Sequence, residues 1–408
     1  MTCNLLQRSA LPILGMMTWT GCIAKPVVES LPEQTFVTVS TGRDHTCALT
    51  DTGTVFCWSR ADPRPVEVSN GVVFRTVSTF WDHSCGIAIT GAAWCWGLNT
   101  VGQLGVADSL LTVCVVGGGV ASSACSPVPL PVSGNLAFES LSVGAAHTCG
   151  LATDGTAWCW GAHGSGQLGV AQDTDCGSRF IPEGFTCSVV PVEVAGGHRF
   201  RTISAGRAHT CAVDDNGAAY CWGAGDSGRL GDGGKESRSV PVPVAGGLTF
   251  RSVSAGGSHT CGVTIDDVSY CWGSNSDMQA GTIETELACG NQVFRCFTTP
   301  HPVGASVSFH SITASDAVQQ GAGGPAIGGH SCGLTADGTA WCWGLNTEGQ
   351  LVNYGDLRSP NPIRISEEFH FVEINAGLSN TCGVTTEGNV LCWAFGGPAT
   401  RFFTFPRG

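Results

Sequence analysis

One spacing recurs seven times along the chain: a cysteine, nine residues, then Cys-Trp. The pairs are Cys47/Cys57, Cys85/Cys95, Cys149/Cys159, Cys211/Cys221, Cys261/Cys271, Cys332/Cys342 and Cys382/Cys392. Internal repetition at this strictness constrains a fold more than any local propensity does. In the third copy, His147 to Trp160, two strand-like runs flank Thr153-Asp154-Gly155. A three-residue hairpin loop needs a left-handed residue at its end, and Gly adopts that conformation without steric cost. Gly fills the place in six of the seven copies, and Asp267 is the exception. Such a turn sets Cys149 directly opposite Cys159, close enough for a disulfide in a non-hydrogen-bonded pair. Period-two alternation sends Trp158 and Trp160 to the face opposite Cys159. Buried aromatics on both sides of a hairpin suit a sheet sandwiched between two neighbours.

Two further strands flank each hairpin. Two residues before each first Cys stands a His, replaced in the seventh copy by Asn380. Nine residues before that position lies Phe36, Phe74, Phe138, Phe200, Phe250 or Phe371. In the sixth unit Phe309 is 21 residues before His330, which places an insertion of 12 residues within Ser315 to Gly328. The last strand of a unit begins at Pro65, Pro129, Pro191, Pro241, Pro300 or Pro362. Proline donates no N–H, so this strand belongs at a sheet edge. Four antiparallel strands per unit and seven units describe an all-β, seven-bladed β-propeller over residues 35–408, with a hairpin disulfide in each blade.

Composition sets the compartment and excludes some functions. The 22 cysteines imply an oxidising space if they pair. At the N-terminus, Arg8 precedes an apolar run from Ala10 to Thr20, too short for a membrane span. Gly21-Cys22 follows, which is similar to a bacterial lipoprotein cleavage site, although Trp19 stands where Leu is usual. Residues 1–21 are thus expected to be a signal peptide, Cys22 a lipidated residue, and residues 22–34 a short linker. Cleavage nearby with Cys22 unmodified is the plainer alternative. Lys and Arg number 19 against 32 Asp and Glu, a net charge of −13. Nucleic-acid binding draws on dense basic charge, so no nucleic-acid partner is expected. Membrane contact is expected only through the lipid at Cys22.

Gly206-Arg-Ala-His209-Thr-Cys-Ala-Val, then Tyr220-Cys-Trp-Gly223, then Gly228-Arg-Leu-Gly231 resembles the regulator-of-chromosome-condensation repeat. Gly102-Gln-Leu-Gly105 and Gly166-Gln-Leu-Gly169 match that repeat more closely, while Met278 to Gly281 and Gly349 to Val352 are degraded copies. The resemblance runs from about residue 35 to the end. It implies the same seven-bladed propeller, of the exported, cysteine-rich bacterial type. Function is not carried with the fold, because it resides in loops grafted onto it.

Six cysteines outside the hairpins form neighbouring pairs: Cys114/Cys125, Cys176/Cys187 and Cys289/Cys296. In each, the second Cys precedes the last-strand Pro by four residues, so all three sit between strands three and four and are expected to close disulfides. A zinc site is not expected, since no Cys-x-x-Cys occurs. The repeated His45, His83, His147, His209, His259 and His330 are read as a blade-by-blade structural device, a turn hydrogen bond that Asn380 can also make. Nucleophile elbows, zincin motifs and phosphate loops are absent, so neither a catalytic residue nor a cofactor is assigned.

Strand polarity places loops 1–2 and 3–4 of every blade on one face. That face collects all four insertions, and the opposite face has only tight turns. Long loops on a rigid scaffold are where binding concentrates. Leu110, Leu111, Phe180, Ile181, Phe185 and Phe294 are the candidate partner-binding residues on these loops; folding back onto their own blade is the competing reading. The function expected is a non-enzymatic, monomeric binding scaffold at a bacterial cell envelope, docking a protein or glycan. A second reading is an exported enzyme inhibitor, since similar propellers include inhibitors of β-lactamases. A third is nucleotide exchange on a small GTPase, as in the eukaryotic namesake, against which export and acidity argue.

Overall fold

The computed structural model describes residues 34–60, 62–116, 121–171, 176, 184–283, 295–303, 307–316, 318–319, 326–327, 329–352, 356–394 and 403–404. Seven antiparallel sheets follow one another along the chain, six of them with their strands in sequence order and that of blade two with an extra strand at its outer edge. In blade three the strands are Phe138–Val143, His147–Ala152, Ala157–Ala162 and Cys187–Glu193. First strands of successive blades touch one another around the ring, so they line the axis, and the proline-bearing strands lie outermost. The outer strand of blade seven is the short Phe403–Thr404, paired to Leu391 and Cys392. Cys22 and the rest of residues 1–33 lie outside the described part.

The turn chemistry operates as the spacing requires. Cys149 and Cys159 are direct cross-strand partners, and their Cα atoms are 4.1 Å apart across a disulfide. The same cross-strand bridge closes the other six hairpins. It joins Cys47 to Cys57, Cys85 to Cys95 and Cys211 to Cys221. It likewise joins Cys261 to Cys271, Cys332 to Cys342 and Cys382 to Cys392. Cα separations of 4.0–4.1 Å throughout match the closer, non-hydrogen-bonded kind of antiparallel pair. Cys95, Cys221, Cys271 and Cys342 are fully buried, while Cys57 is half-buried against the packing of blades one and two. Asp267, the one non-glycine at the loop end, is held at φ 61°, a conformation Asp tolerates better than most residues.

Blades pack by unlike faces. The cystine of blade three, Cys149 and Cys159, meets Phe200 and Trp222 of blade four in one buried cluster. The pattern repeats around the ring, and the cystine of blade seven packs on Phe36 and Trp58 of blade one, closing it. Within a blade the Phe and Trp rings are in contact, as for Phe138 and Trp160 at 5.8 Å between centroids, a separation favoured for tilted aromatic pairs. In blades two, three and four the Gly-x-Leu-Gly loop then covers the Trp of the next blade, and the variant loops of blades five and six do the same. The Gln167 carbonyl accepts the Trp222 indole N–H at 3.0 Å. A Cβ on Gly169 would lie 2.9 Å from that indole nitrogen, so glycine is required where the loop crosses the ring.

A second circle of bonds runs through the first strands. The side-chain oxygen of Ser40 accepts the backbone N–H of Thr79 in the next blade at 2.8 Å. Ser78, Ser142, Ser204, Ser254 and Thr313 do the same for Val143, Ala205, Ala255, Ala314 and Ala376. Asn375 completes the circle by accepting from Thr41 at 2.8 Å. Each bond spans two blades, so the ring is laced by side chains as well as by packing.

The histidines are structural but act between blades, not within a turn. Nε2 of His45, His83, His147, His209, His259 and His330 lies 2.7–2.9 Å from the hydroxyl of Ser84, Thr148, Thr210, Thr260, Ser331 and Thr381 respectively, always in the following blade. Asn380 does not take over this role. Its shorter amide turns to Cys382 Sγ in its own blade.

Candidate functional site

The insertions do not all take the form of loops. In blade two, Thr112–Val116 pairs with Ala121–Pro131, so the insertion is a β-hairpin that adds a fifth strand to the sheet. A disulfide joins Cys114 to Cys125 within it. In blade three a disulfide joins Cys176 to Cys187, and the pair is buried beside Val101 and Val189. Cys296 is disulfide-bonded, and its expected partner Cys289 lies outside the described residues. The insertion of blade six includes a second small hairpin, Val318–Gln319 against Ala326–Ile327.

The candidate anchors separate into three groups. Leu110 and Phe185 are exposed, at 46% and 52%. Leu111 is buried in the core between blades two and three, beside Ala124 of the added hairpin, and serves its own blade. Phe180, Ile181 and Phe294 lie outside the described residues. A cavity of about 420 Å³ opens on the same face between blades five and six, lined by Ser276, Met278, Arg295 and Arg358.

The centre of this face holds a cluster that motif reading missed. The 1–2 loops of the blades ring the channel mouth and are bonded to one another: Ala145 N–H to Gly206 O, Arg207 N–H to Gly256 O, and Gly257 N–H to Ser315 O. Their approach requires glycine, because a Cβ on Gly206 would lie 2.3 Å from the Gly256 carbonyl. Blade two departs, with Phe80 in the place of that glycine and Trp81 after it. Trp81 has φ 33°, an unusual conformation for a bulky residue. Its indole N–H donates to the buried Asp316 of blade six. The guanidinium carbons of Arg43, from blade one, and Arg207, from blade four, lie 5.0 and 4.8 Å from its ring centroid, within cation–π range. One side chain thus meets blades one, four and six, which puts it over the axis.

The electrostatics of this centre are mixed. Asp82, next to Trp81, is raised from the usual carboxylate range by burial, against the pull of Arg43. Arg229 is buried, donates to Gly257 O at 2.7 Å and pairs with Asp226. Burial lowers its affinity for the proton, partly offset by Asp226. Among the described residues no group of three or more His, Cys, Asp or Glu could hold a metal ion.

Comparison with known proteins agrees with this architecture. The regulator of chromosome condensation (RCC1) repeat matches residues 154–213 and 216–263 in one form, and 36–61, 77–103, 138–167, 200–229, 250–279 and 328–350 in another. The chain is 26% identical over 224 residues to the ultraviolet-B receptor UVR8 of Arabidopsis thaliana, covering 51% of this chain and 46% of that protein. It is 24% identical over 231 residues to the guanine nucleotide exchange factor SRM1 of Saccharomyces cerevisiae, covering 50% and 44%. It therefore spans less than half the length of either relative. Among solved structures, Prp20p from Saccharomyces cerevisiae superposes with a TM-score of 0.67 at 17% identity, covering 84% of this chain and 80% of that one. Human WBSCR16 gives 0.65 at 18%, covering 84% and 83%. At these identities the structures establish the fold alone. The repeat matches extend over more than half of the chain, and the protein belongs to the regulator of chromosome condensation (RCC1) repeat family.

Proposed function

We propose that the protein is a non-enzymatic binding scaffold, exported and held at a bacterial cell envelope through Cys22, that docks a protein partner on the face carrying loops 1–2 and 3–4. One observation carries the reading: the inserted segments of blades two, three and six emerge on that one face, two of them tied by their own disulfides. A tied loop loses little entropy on binding, so its exposed apolar residues make efficient anchors. Tight hairpin turns occupy the other face. Export is supported by the cysteine pairing, which needs an oxidising compartment. The fold commonly mediates protein binding in its family. An inhibitor of an envelope enzyme would use the same face.

A photo-crosslinking residue placed at position 185 tests the docking face, with position 154 in an opposite-face turn as control. Adducts in envelope extract from position 185 alone are expected; adducts from 154 alone would reverse the assignment. Metabolic labelling with an alkyne fatty acid tests the anchor. Label is expected on the wild type and not on Cys22→Ser, and an unlabelled wild type would remove the lipid.

A further inference from the structure

We propose that the channel mouth is the central contact of the docking face, where Arg43 and Arg207, held over the Trp81 ring, receive a carboxylate of a protein partner. The inference rests on the loop-face reading and names the chemistry it would recognise.

Three observations support it. Trp and Arg are the residue types that dominate protein-interface energetics, and they do so near the centre of an interface. Here they converge from blades one, two and four onto the centre of the face. The cluster is also held in place before any partner arrives. The indole N–H is fixed by Asp316, and neighbouring loops are fixed by backbone bonds across blades. Ordering costs at binding are correspondingly small. The unusual φ of Trp81 fits a position retained for function, since such strain concentrates at binding sites.

Guanidinium chemistry selects the carboxylate. The chain is acidic overall, and Asp51, Asp154, Asp214, Asp266, Asp337 and Glu387 sit in turns of the opposite face. On the loop face the arginines stand among acids, Arg43 beside Asp44 and Arg358 beside Asp277, so the pair of guanidinium groups at Trp81, and not the net charge of the face, points to a carboxylate. The Arg43 side chain is 45% exposed, and Asp44 approaches its Nε only at 3.5 Å, itself 70% exposed, a weak surface pair. Guanidinium donors match a carboxylate in a bidentate fork. Three carboxylates are neighbours: burial favours the neutral form of Asp82, Asp316 is engaged by the Trp81 indole N–H, and Asp44 pairs only weakly with Arg43. A sugar ring would need the face of Trp81 for stacking, and two guanidinium groups already occupy that surface.

The test follows the Trp81 indole N–H by NMR, assigned through Trp81→Phe, in the full disulfide-bonded protein. The probes are acetyl-Glu-Glu-Glu-amide, acetyl-Gln-Gln-Gln-amide, trigalacturonate and inorganic phosphate. A saturating shift with the glutamate peptide alone is expected, weakened at least tenfold in both Arg43→Gln and Arg207→Gln and partly restored in Arg43→Lys. Melting temperature checks that each variant is folded. Equal response to the glutamine peptide, no saturation through the millimolar range, or unchanged binding in both glutamine variants would overturn the proposal. Tighter saturation by trigalacturonate or phosphate would overturn the assignment to a protein. Crosslinking at position 185 that persists in Arg43→Gln while the peptide no longer binds would leave the loop-face reading intact. Lost crosslinking with peptide binding retained would show the reverse.

Discussion

The imidazole Nε2 of His147 lies 2.9 Å from the hydroxyl of Thr210 in the next blade, and that hydroxyl donates onward to the Gln167 carbonyl at 3.1 Å. A hydroxyl has one proton to give, so the imidazole must be the donor. The network therefore places a proton on Nε2, and burial with no partner at Nδ1 keeps the ring neutral. His209 repeats the arrangement with Thr260, whose hydroxyl donates to Arg229 O. His209→Asn should break the inter-blade link, because Asn380 shows that the shorter amide stays within its own blade. A loss of about 1–2 kcal/mol is expected, read as a lower urea midpoint at unchanged slope. An unchanged midpoint would show that the link carries no stability.

Acid should loosen the ring. Burial pushes His45 down to about 4, and His83, His147, His259 and His330 down to about 3. Burial also holds His209 well below 6.5. Nδ1 of five of these rings is buried without a hydrogen-bond partner, so a second proton would find no acceptor. The unfolded chain takes up protons below about pH 6.5 that the folded chain refuses, so folded stability falls as pH drops. The loss should begin near pH 6.5 and accumulate down to about 3. Urea midpoints measured across that range should decline steadily. A flat profile would contradict neutral, buried histidines.

The hairpins were legible because their information is local. A three-residue turn fixes which residues face each other, so Cys149 and Cys159 could be paired from spacing alone. The seven-fold count then gave the ring. What escaped is what crosses between blades. Ser142 sits at a repeated place in the sequence, but its partner is a backbone N–H, that of Ala205, which no side-chain pattern announces. The histidine bonds were misassigned to a turn for the same reason. Trp81 has partners on three other blades, and those distances appear only once the ring is closed. Its one local sign was Phe80-Trp81 where other blades have glycine or, in blade six, Ser315. Leu111 failed as an anchor because the blade-two insertion folds as a hairpin and buries it.

Reductant should attack the disulfides in order of access. The hairpin cystine sulfurs of blade three are fully buried, whereas Cys114 on the added hairpin of blade two is half-buried. Mild reductant under native conditions should therefore open Cys114–Cys125 before Cys149–Cys159, as read by timed alkylation and peptide mapping. Replacing both Cys149 and Cys159 with Ala should cost about 2–3 kcal/mol. Early alkylation of Cys149 would show that the blades part more readily than their packing indicates.

Gly206→Ala should be poorly tolerated although the change is small. Its Cβ would lie 2.3 Å from the Gly256 carbonyl, forcing two 1–2 loops apart. Overpacking of this kind costs about 1–3 kcal/mol. The matched control is Gly102→Ala on the same face, where a Cβ would meet the Val189 side chain at 2.8 Å in a 3–4 loop. Both should lower the melting temperature, but only Gly206→Ala should also shift the Trp81 indole resonance. A shift from both would show that the channel mouth is not an independent unit.

The central claim is that partners dock on the loop-bearing face. The decisive measurement is affinity and thermal stability, on the same proteins, for Leu110→Ala, Phe185→Ala and the opposite-face control Asp154→Ala, against the partner identified by crosslinking. Truncated interface anchors cost about 2 kcal/mol or more, roughly a thirtyfold loss of affinity. The expected result is weakened binding for Leu110→Ala and Phe185→Ala at unchanged melting temperature, with Asp154→Ala binding like wild type. Lowered stability with intact affinity in the two loop variants, or weakened binding in Asp154→Ala alone, would contradict it.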